Sequence, residues 1–296
     1  MTSLLSGCGT ALVTPFTSAG ALDEPALRAL IDWQIADGVS MLVPCGSTGE
    51  AVALSAAEHR RVVEITVNQV NGRVPVIAGA GSNDTQRAIA TSREMQAIGA
   101  THLLHVTPMY NKPPQRALVA HFRAIADACD LPIVIYNVPG RTAINLDAPS
   151  CLTLAQDPRF VAVKEASGNM AQIAEIIRGR PEHFAVLSGD DGLTMSVMAH
   201  GGNGVISVVS NVVPMLVARL CAAMSRGDLV AARALDATLA PVVTAAFIES
   251  NPIPVKAMLA IMGRATDTLR LPLVPLLDSH RDLVHAALQN AGVPLS

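Results

Sequence analysis

The chain has 296 residues, half of them hydrophobic and 15% charged, with a formal net charge of −3. That length suits one α/β barrel or two average domains, and the apolar share implies a large core. The charge offers no basic field for nucleic acid or an anionic membrane, and the five scattered cysteines suit reduced thiols rather than a disulfide frame or zinc site.

The opening segment 1–6 has neither a positive start nor a long apolar run, so no signal peptide is expected. No window approaches the roughly 20 uninterrupted apolar residues of a membrane span. A cytoplasmic protein is the expectation.

Short apolar runs rich in β-branched residues then alternate with segments of helical period. Strands are predicted at 10–14, 41–44, 74–78, 102–106, 133–137, 161–165, 185–188 and 204–208. Several lack polar alternation, as parallel strands covered on both faces do. Between them, Leu27, Leu30, Ile31 and Ile35 share one face of a first helix. Ser55 and Glu58 form a capping box opening the second, Asp84 or Asn83 caps the third, and Pro114 starts the fourth.

Eight strand–helix units predict an α/β fold, a (β/α)8 TIM barrel. A doubly wound sheet would show five or six strands and a Gly-x-Gly-x-x-Gly at its first turn, which is absent. Beyond residue 226 the strand signals stop, and 229–249, 254–263 and 278–290 read as three more helices. The expected organisation is a barrel over 1–226 carrying the active site and a C-terminal helical extension over 227–296. For that extension the expected role is assembly or packing across the barrel's outer face.

In such a barrel the C-terminal ends of the strands face the active site. That rule collects the chain's unusual residues. Strand 2 runs into Gly46, Ser47, Thr48, Gly49 and Glu50, and strand 4 leads to Tyr110. Strand 5 ends at Tyr136 and leads to Arg141, strand 6 ends at Lys164 and Glu165, and strand 7 leads into Gly189, Asp190 and Asp191.

Lys164 stands out because the chain has three lysines against eighteen arginines, and the other two, Lys112 and Lys256, sit in proline-rich contexts. An amine closing an apolar strand is desolvated, which lowers its pKa. An unperturbed amine near 10.4 is neutral only a few parts in ten thousand at pH 7, and lowering it to about 7–8 raises that share by two to three orders of magnitude. Imine chemistry needs that neutral form. Glu165 does not oppose this, since alternate strand residues face opposite ways. Tyr110 and Tyr136 are the only tyrosines, and with a hydroxyl between them they form a proton path without net charge.

Each residue alone also has a structural reading. Lys164 as a snorkelling strand end, Tyr136 as a core-edge residue, the glycines as turn formers and Arg141 as a solvated charge are all open. Their joint placement at strand ends favours a site. The eight histidines form no metal-binding pattern, and His102 and His105 point to opposite faces of their strand.

These motifs, in this order, resemble the dihydrodipicolinate synthase family within the pyruvate-dependent class I aldolases. The likeness covers essentially the whole chain, through 46–50, 106–111, 136–142, 163–168, 188–191, 204–208 and 251–256. It implies condensation of pyruvate with aspartate 4-semialdehyde on the lysine and diaminopimelate route, through a lysine Schiff base, with no metal and no organic cofactor. On the same resemblance Lys164 forms the imine, and Tyr136 donates protons through Ser47 and Tyr110. Thr48 holds the pyruvate carboxylate, Ile206 and Gly189 contact substrate, and Arg141 clamps the semialdehyde carboxylate. The family's last relay tyrosine crosses from a neighbouring subunit, which implies a homo-oligomer, a tetramer built as a dimer of dimers that shares Tyr110.

Two departures stand out. Ser47 replaces the usual threonine, a spelling shared with sialic acid lyase relatives, whereas Arg141 favours the synthase. At the positions of the family's lysine-inhibition pocket the chain carries Ala51, Ala56, Arg87 and Met109, though Asn83 and His59 remain. Alanine offers no hydrogen bond and Arg87 repels ammonium groups, so weak or absent lysine inhibition is expected. A related aldolase or dehydratase acting on a sugar acid, like N-acetylneuraminate lyase, stays open as an alternative. So does a barrel kept as a non-catalytic binding protein.

Overall fold

A computed structural model describes residues 4–294 of the protein; residues 1–3, half of the segment read for a signal peptide, lie outside them. The strands are β1 (Gly7–Ala11), β2 (Met41–Val43), β3 (Ile77–Gly79), β4 (His102–Val106), β5 (Ile133–Asn137), β6 (Phe160–Glu165), β7 (Ala185–Ser188) and β8 (Gly204–Ser207). All neighbours pair in parallel, in the order β2-β1-β8-β7-β6-β5-β4-β3. A bridge from Leu42 to Val76 draws the two ends together. The expected barrel is therefore the observed one.

Two strands sit elsewhere than expected. β1 covers 7–11 rather than 10–14, because register against β8, not local propensity, decides which residues pair. That register sets Gly7 opposite Gly204, where a Cβ on Gly204 would lie 2.0 Å from the Gly7 carbonyl oxygen. Thr14, expected in the strand, instead donates its hydroxyl to the Gly49 carbonyl at 2.7 Å. β3 begins at 77 rather than 74, since Pro75 has no N–H to give to a ladder.

An outer layer of helices follows the strands. It comprises α1 (Glu24–Ala36), α2 (Ala56–Val70), α3 (Thr85–Ile98), α4 (Gln115–Ala126), α5 (Pro139–Thr142), α6 (Ala148–Ala155), α7 (Met170–Gly179), α8 (Thr194–Ala199) and α9 (Pro214–Ser225). The Ser55–Glu58 capping box forms as expected at α2. At α3 the cap is Asp84, whose carboxylate accepts the Arg87 amide at 2.8 Å. The barrel interior is filled by inward residues such as Met41, Val43, Ile77, Leu104, Leu187 and Ile206.

Three helices complete the chain: α10 (Leu229–Ala246), α11 (Ile253–Ile261) and α12 (Asp278–Asn290). Val242, Val255, Met258 and Leu288 from them share one apolar cluster with Val205 of β8. α10 is long and apolar enough to cross a membrane by length and composition, with mean hydropathy 1.4 over 18 residues, although Arg233 and Asp236 interrupt it. It packs along α9 and α12.

Candidate active site

Lys164 is the penultimate residue of β6, in register with Tyr136 on β5 and Leu187 on β7. It is 5% exposed, and its ammonium lies 4.3 Å from the centroid of the Tyr136 ring. Burial lowers its pKa from 10.5 to about 8; buried Asp191 opposes that shift and Arg141 adds to it. Burial likewise pushes the Tyr136 phenol up to about 12, against the pull of Arg141, so it stays protonated near neutrality. Glu165 faces the helix side, where its carboxylate accepts from Asn137 at 3.0 Å and the Ser167 amide at 2.7 Å.

A cavity of about 380 Å³ opens above the amine. Ser47, Thr48, Tyr136, Arg141, Lys164, Gly189 and Asp190 line it, together with Val243, Thr244 and Phe247 and with Asn251 beyond α10. Gly189 has a steric reason to lack a side chain: a Cβ there would sit 2.7 Å from the Ala166 Cβ and 3.2 Å from the Lys164 Cε. Thr48 is buried, and its hydroxyl oxygen accepts from the Asn251 amide at 2.8 Å. Arg141, exposed on α5, donates to the Asn251 backbone carbonyl at 3.3 Å. Below them, Asp191 accepts from the Ser207 hydroxyl and from the Val208 amide at 2.9 Å. Those bonds tie the end of β8 to the β7 loop.

The hydroxyl-bearing loop after β2 is held from beneath. Glu50 takes a left-handed backbone (φ 52) and pairs with Lys256 of α11 at 2.6 Å, both side chains being essentially fully buried. Lys256 also donates to the Thr14 carbonyl at 3.0 Å, and the Arg270 amide donates to Glu50 at 3.1 Å. A second cavity of about 330 Å³ shares Ser47, Tyr136, Arg141 and Asn251 with the first and is bordered by Val52, Met109 and Leu273. Among the described residues, no group of three or more His, Cys, Asp or Glu is arranged to hold a metal ion.

The profile of the Dihydrodipicolinate synthetase family matches residues 4–291. The chain belongs to this family. It is 49% identical over 290 residues to a 4-hydroxy-tetrahydrodipicolinate synthase of Pelobacter propionicus, covering 98% of this chain and 100% of that one. A dihydrodipicolinate synthase of Acinetobacter baumannii solved with pyruvate is 39% identical, with a TM-score of 0.96 and coverage of 98% and 99%. One from Cyanidioschyzon merolae solved with lysine bound is 38% identical, with a TM-score of 0.95 and the same coverage.

In this family member the fold gathers Lys164, Tyr136, Ser47, Thr48, Arg141 and Gly189 around one cavity. Ile206 lies in the barrel interior below it, two residues before Val208 on the cavity wall. Tyr110 stands apart: it is 86% exposed with a left-handed backbone (φ 73). Among the described residues, no hydrogen bond joins Tyr110 to Ser47 or Tyr136, so the expected relay is not assembled within one chain. Asn251 and the end of α10 belong to the extension expected to serve assembly or outer-face packing, and no site role was expected of them. The 251–256 motif and the scarce Lys256 were the available signals, but neither says which loop they meet.

Proposed function

We propose that the chain condenses pyruvate with L-aspartate 4-semialdehyde through a Schiff base on Lys164, giving 4-hydroxy-tetrahydrodipicolinate. The observation that carries this reading is the buried Lys164 amine, held near pKa 8 against the Tyr136 ring at the mouth of the barrel. Neutral Nζ attacks the pyruvate ketone, and the carbinolamine loses water to give an iminium. That iminium accepts the electron pair when a methyl proton leaves, the resulting enamine adds to the aldehyde, and the semialdehyde's own amine then attacks the regenerated iminium carbon, closing the ring and expelling the Lys164 amine. The imine itself is the electron sink, so the scheme draws on no metal or organic cofactor.

Tyr136, protonated up to about pH 12, supplies and recovers protons beside the imine. Thr48 takes the pyruvate carboxylate, with Gly189 and the Ile206 backbone completing its surroundings. Arg141, at the rim, meets the carboxylate of the second substrate as a guanidinium fork. That arginine is the residue that favours an amino-acid semialdehyde over a sugar acid.

Tyr110 reaches the relay from a second copy of the chain, within a homotetramer in the cytoplasm. Support comes from the exposure of Tyr110, Val52 and Leu271, and from the open cavity beside Ser47 and Tyr136. The barrel, 1–226, supplies the chemistry, and the extension, 227–296, roofs one side of the site. Lysine inhibits weakly or not at all, because Ala51, Ala56, Arg87 and Met109 offer its ammonium groups no acceptor side chains. Borohydride reduction in the presence of pyruvate, followed by peptide mapping, tests the chemistry. An adduct on Lys164 is expected, and its absence ends the imine mechanism.

A further inference from the structure

We propose that Asn251 is a positioning residue that fixes the Thr48 hydroxyl as a hydrogen-bond donor toward the bound pyruvate carboxylate. The inference rests on the reading in which Thr48 holds that carboxylate. Asn251 lies between α10 and α11, is 5% exposed, and reaches the cavity wall. Its side-chain amide nitrogen donates to Thr48 Oγ1 at 2.8 Å. A hydroxyl carries one hydrogen and two lone pairs. With a lone pair engaged by an amide donor, the Thr48 hydrogen must point elsewhere, and among the described residues no protein acceptor takes it. The cavity is where an acceptor can arrive.

The bookkeeping of buried atoms supports this orientation. Asn251 Oδ1 is buried without a partner. Turning the amide over would give Oδ1 the Thr48 hydrogen and move the amino group into the buried position where Oδ1 now has no partner. Unpaired buried donors are rarer than under-satisfied carbonyl oxygens. The site therefore keeps one orphan acceptor and leaves the hydroxyl hydrogen free for a carboxylate.

Both ends of the contact are pinned. The Asn251 backbone carbonyl accepts from Arg141 at 3.3 Å. Lys256, five residues on, pairs with Glu50, two residues past Thr48, at 2.6 Å. The C-terminal segment thus touches both substrate anchors, through its side chain at Thr48 and its backbone at Arg141.

A double-mutant cycle on the full-length enzyme tests this, with Asn251→Asp, Thr48→Val and their combination. A carboxylate in place of the amide accepts from Thr48 and turns its hydrogen away from the substrate. Asn251→Asp should lower kcat/KM for pyruvate by about tenfold or more while changing kcat/KM for the semialdehyde by less than about threefold. In the Thr48→Val background the same change should cost less than about twofold. An equal loss in both backgrounds, or no loss in the first, overturns the inference. If Thr48→Val alone leaves kcat/KM for pyruvate unchanged, the reading of Thr48 falls instead. Should Asn251→Asp fail to fold by circular dichroism, Asn251→Ala carries the same cycle: a loss of about threefold that disappears in Thr48→Val is expected, and a loss that persists there refutes the role.

Discussion

As the proposed imine former, Lys164 combines two demands that pull against each other. The amine must be desolvated to be neutral at working pH, yet burying an ionisable group weakens the fold. With its pKa near 8 rather than 10.5, roughly one amine in eleven is neutral at pH 7, several hundred times the unperturbed share. We expect kcat/KM for pyruvate to rise about tenfold per pH unit below 8 and then level, as read from a pH–rate profile. The stability sign is opposite to that of a paired lysine. The unfolded chain binds more protons between pH 8 and 10.5, so stability climbs with pH across that window. Lys164→Met should therefore stabilise the protein by up to about 3 kcal/mol at pH 7, a gain that fades by pH 10.5 in denaturant titrations. Arg141→Ala makes a contrasting case. It should lower kcat/KM for the semialdehyde by about a hundredfold or more and leave borohydride trapping of pyruvate on Lys164 intact.

At the scale of elements, the site is a set of strand ends whose loops are locked by contacts remote in sequence. β5 and β6 set Tyr136 beside Lys164 through their shared register, a placement legible from the strand motifs alone. The loop after β2 is different, because it owes its position to Glu50 and Lys256, 206 residues apart. Breaking that pair strands a charge in the core. Lys256→Ala should cost about 3–5 kcal/mol in urea unfolding, while Lys256→Met combined with Glu50→Gln recovers most of the loss. The displaced start of β1 has the same origin: propensity favoured Val13 and Thr14, but the barrel's register pairs Gly7 and Gly9 instead.

For the whole molecule, one chain carries the lysine, the hydroxyl pair and the arginine but leaves Tyr110 on its surface. Val52 at 94% exposure and Leu271 at 80% lie exposed as well. If a second copy covers this face, Val52→Glu should shift the species seen by sedimentation toward monomer and lower kcat, with borohydride trapping of pyruvate preserved. Lysine binding belongs to this scale too. Half-loss of activity at low millimolar lysine would contradict the expected insensitivity.

Much is legible in the sequence alone. Short apolar, β-branched runs alternating eight times with segments of helical period specify a barrel, because each unit must bury its strand on both faces. Strand-end placement then brings Lys164, Tyr136, Thr48, Arg141 and Gly189 to one rim. What the linear chain does not encode locally is who meets whom across two hundred residues. Asn251 reaching Thr48, Lys256 reaching Glu50 and the end of α10 roofing the cavity arise from packing three late helices against the barrel. Only the closed fold, where apolar burial and the pairing of buried polar groups must be met together, decides those contacts.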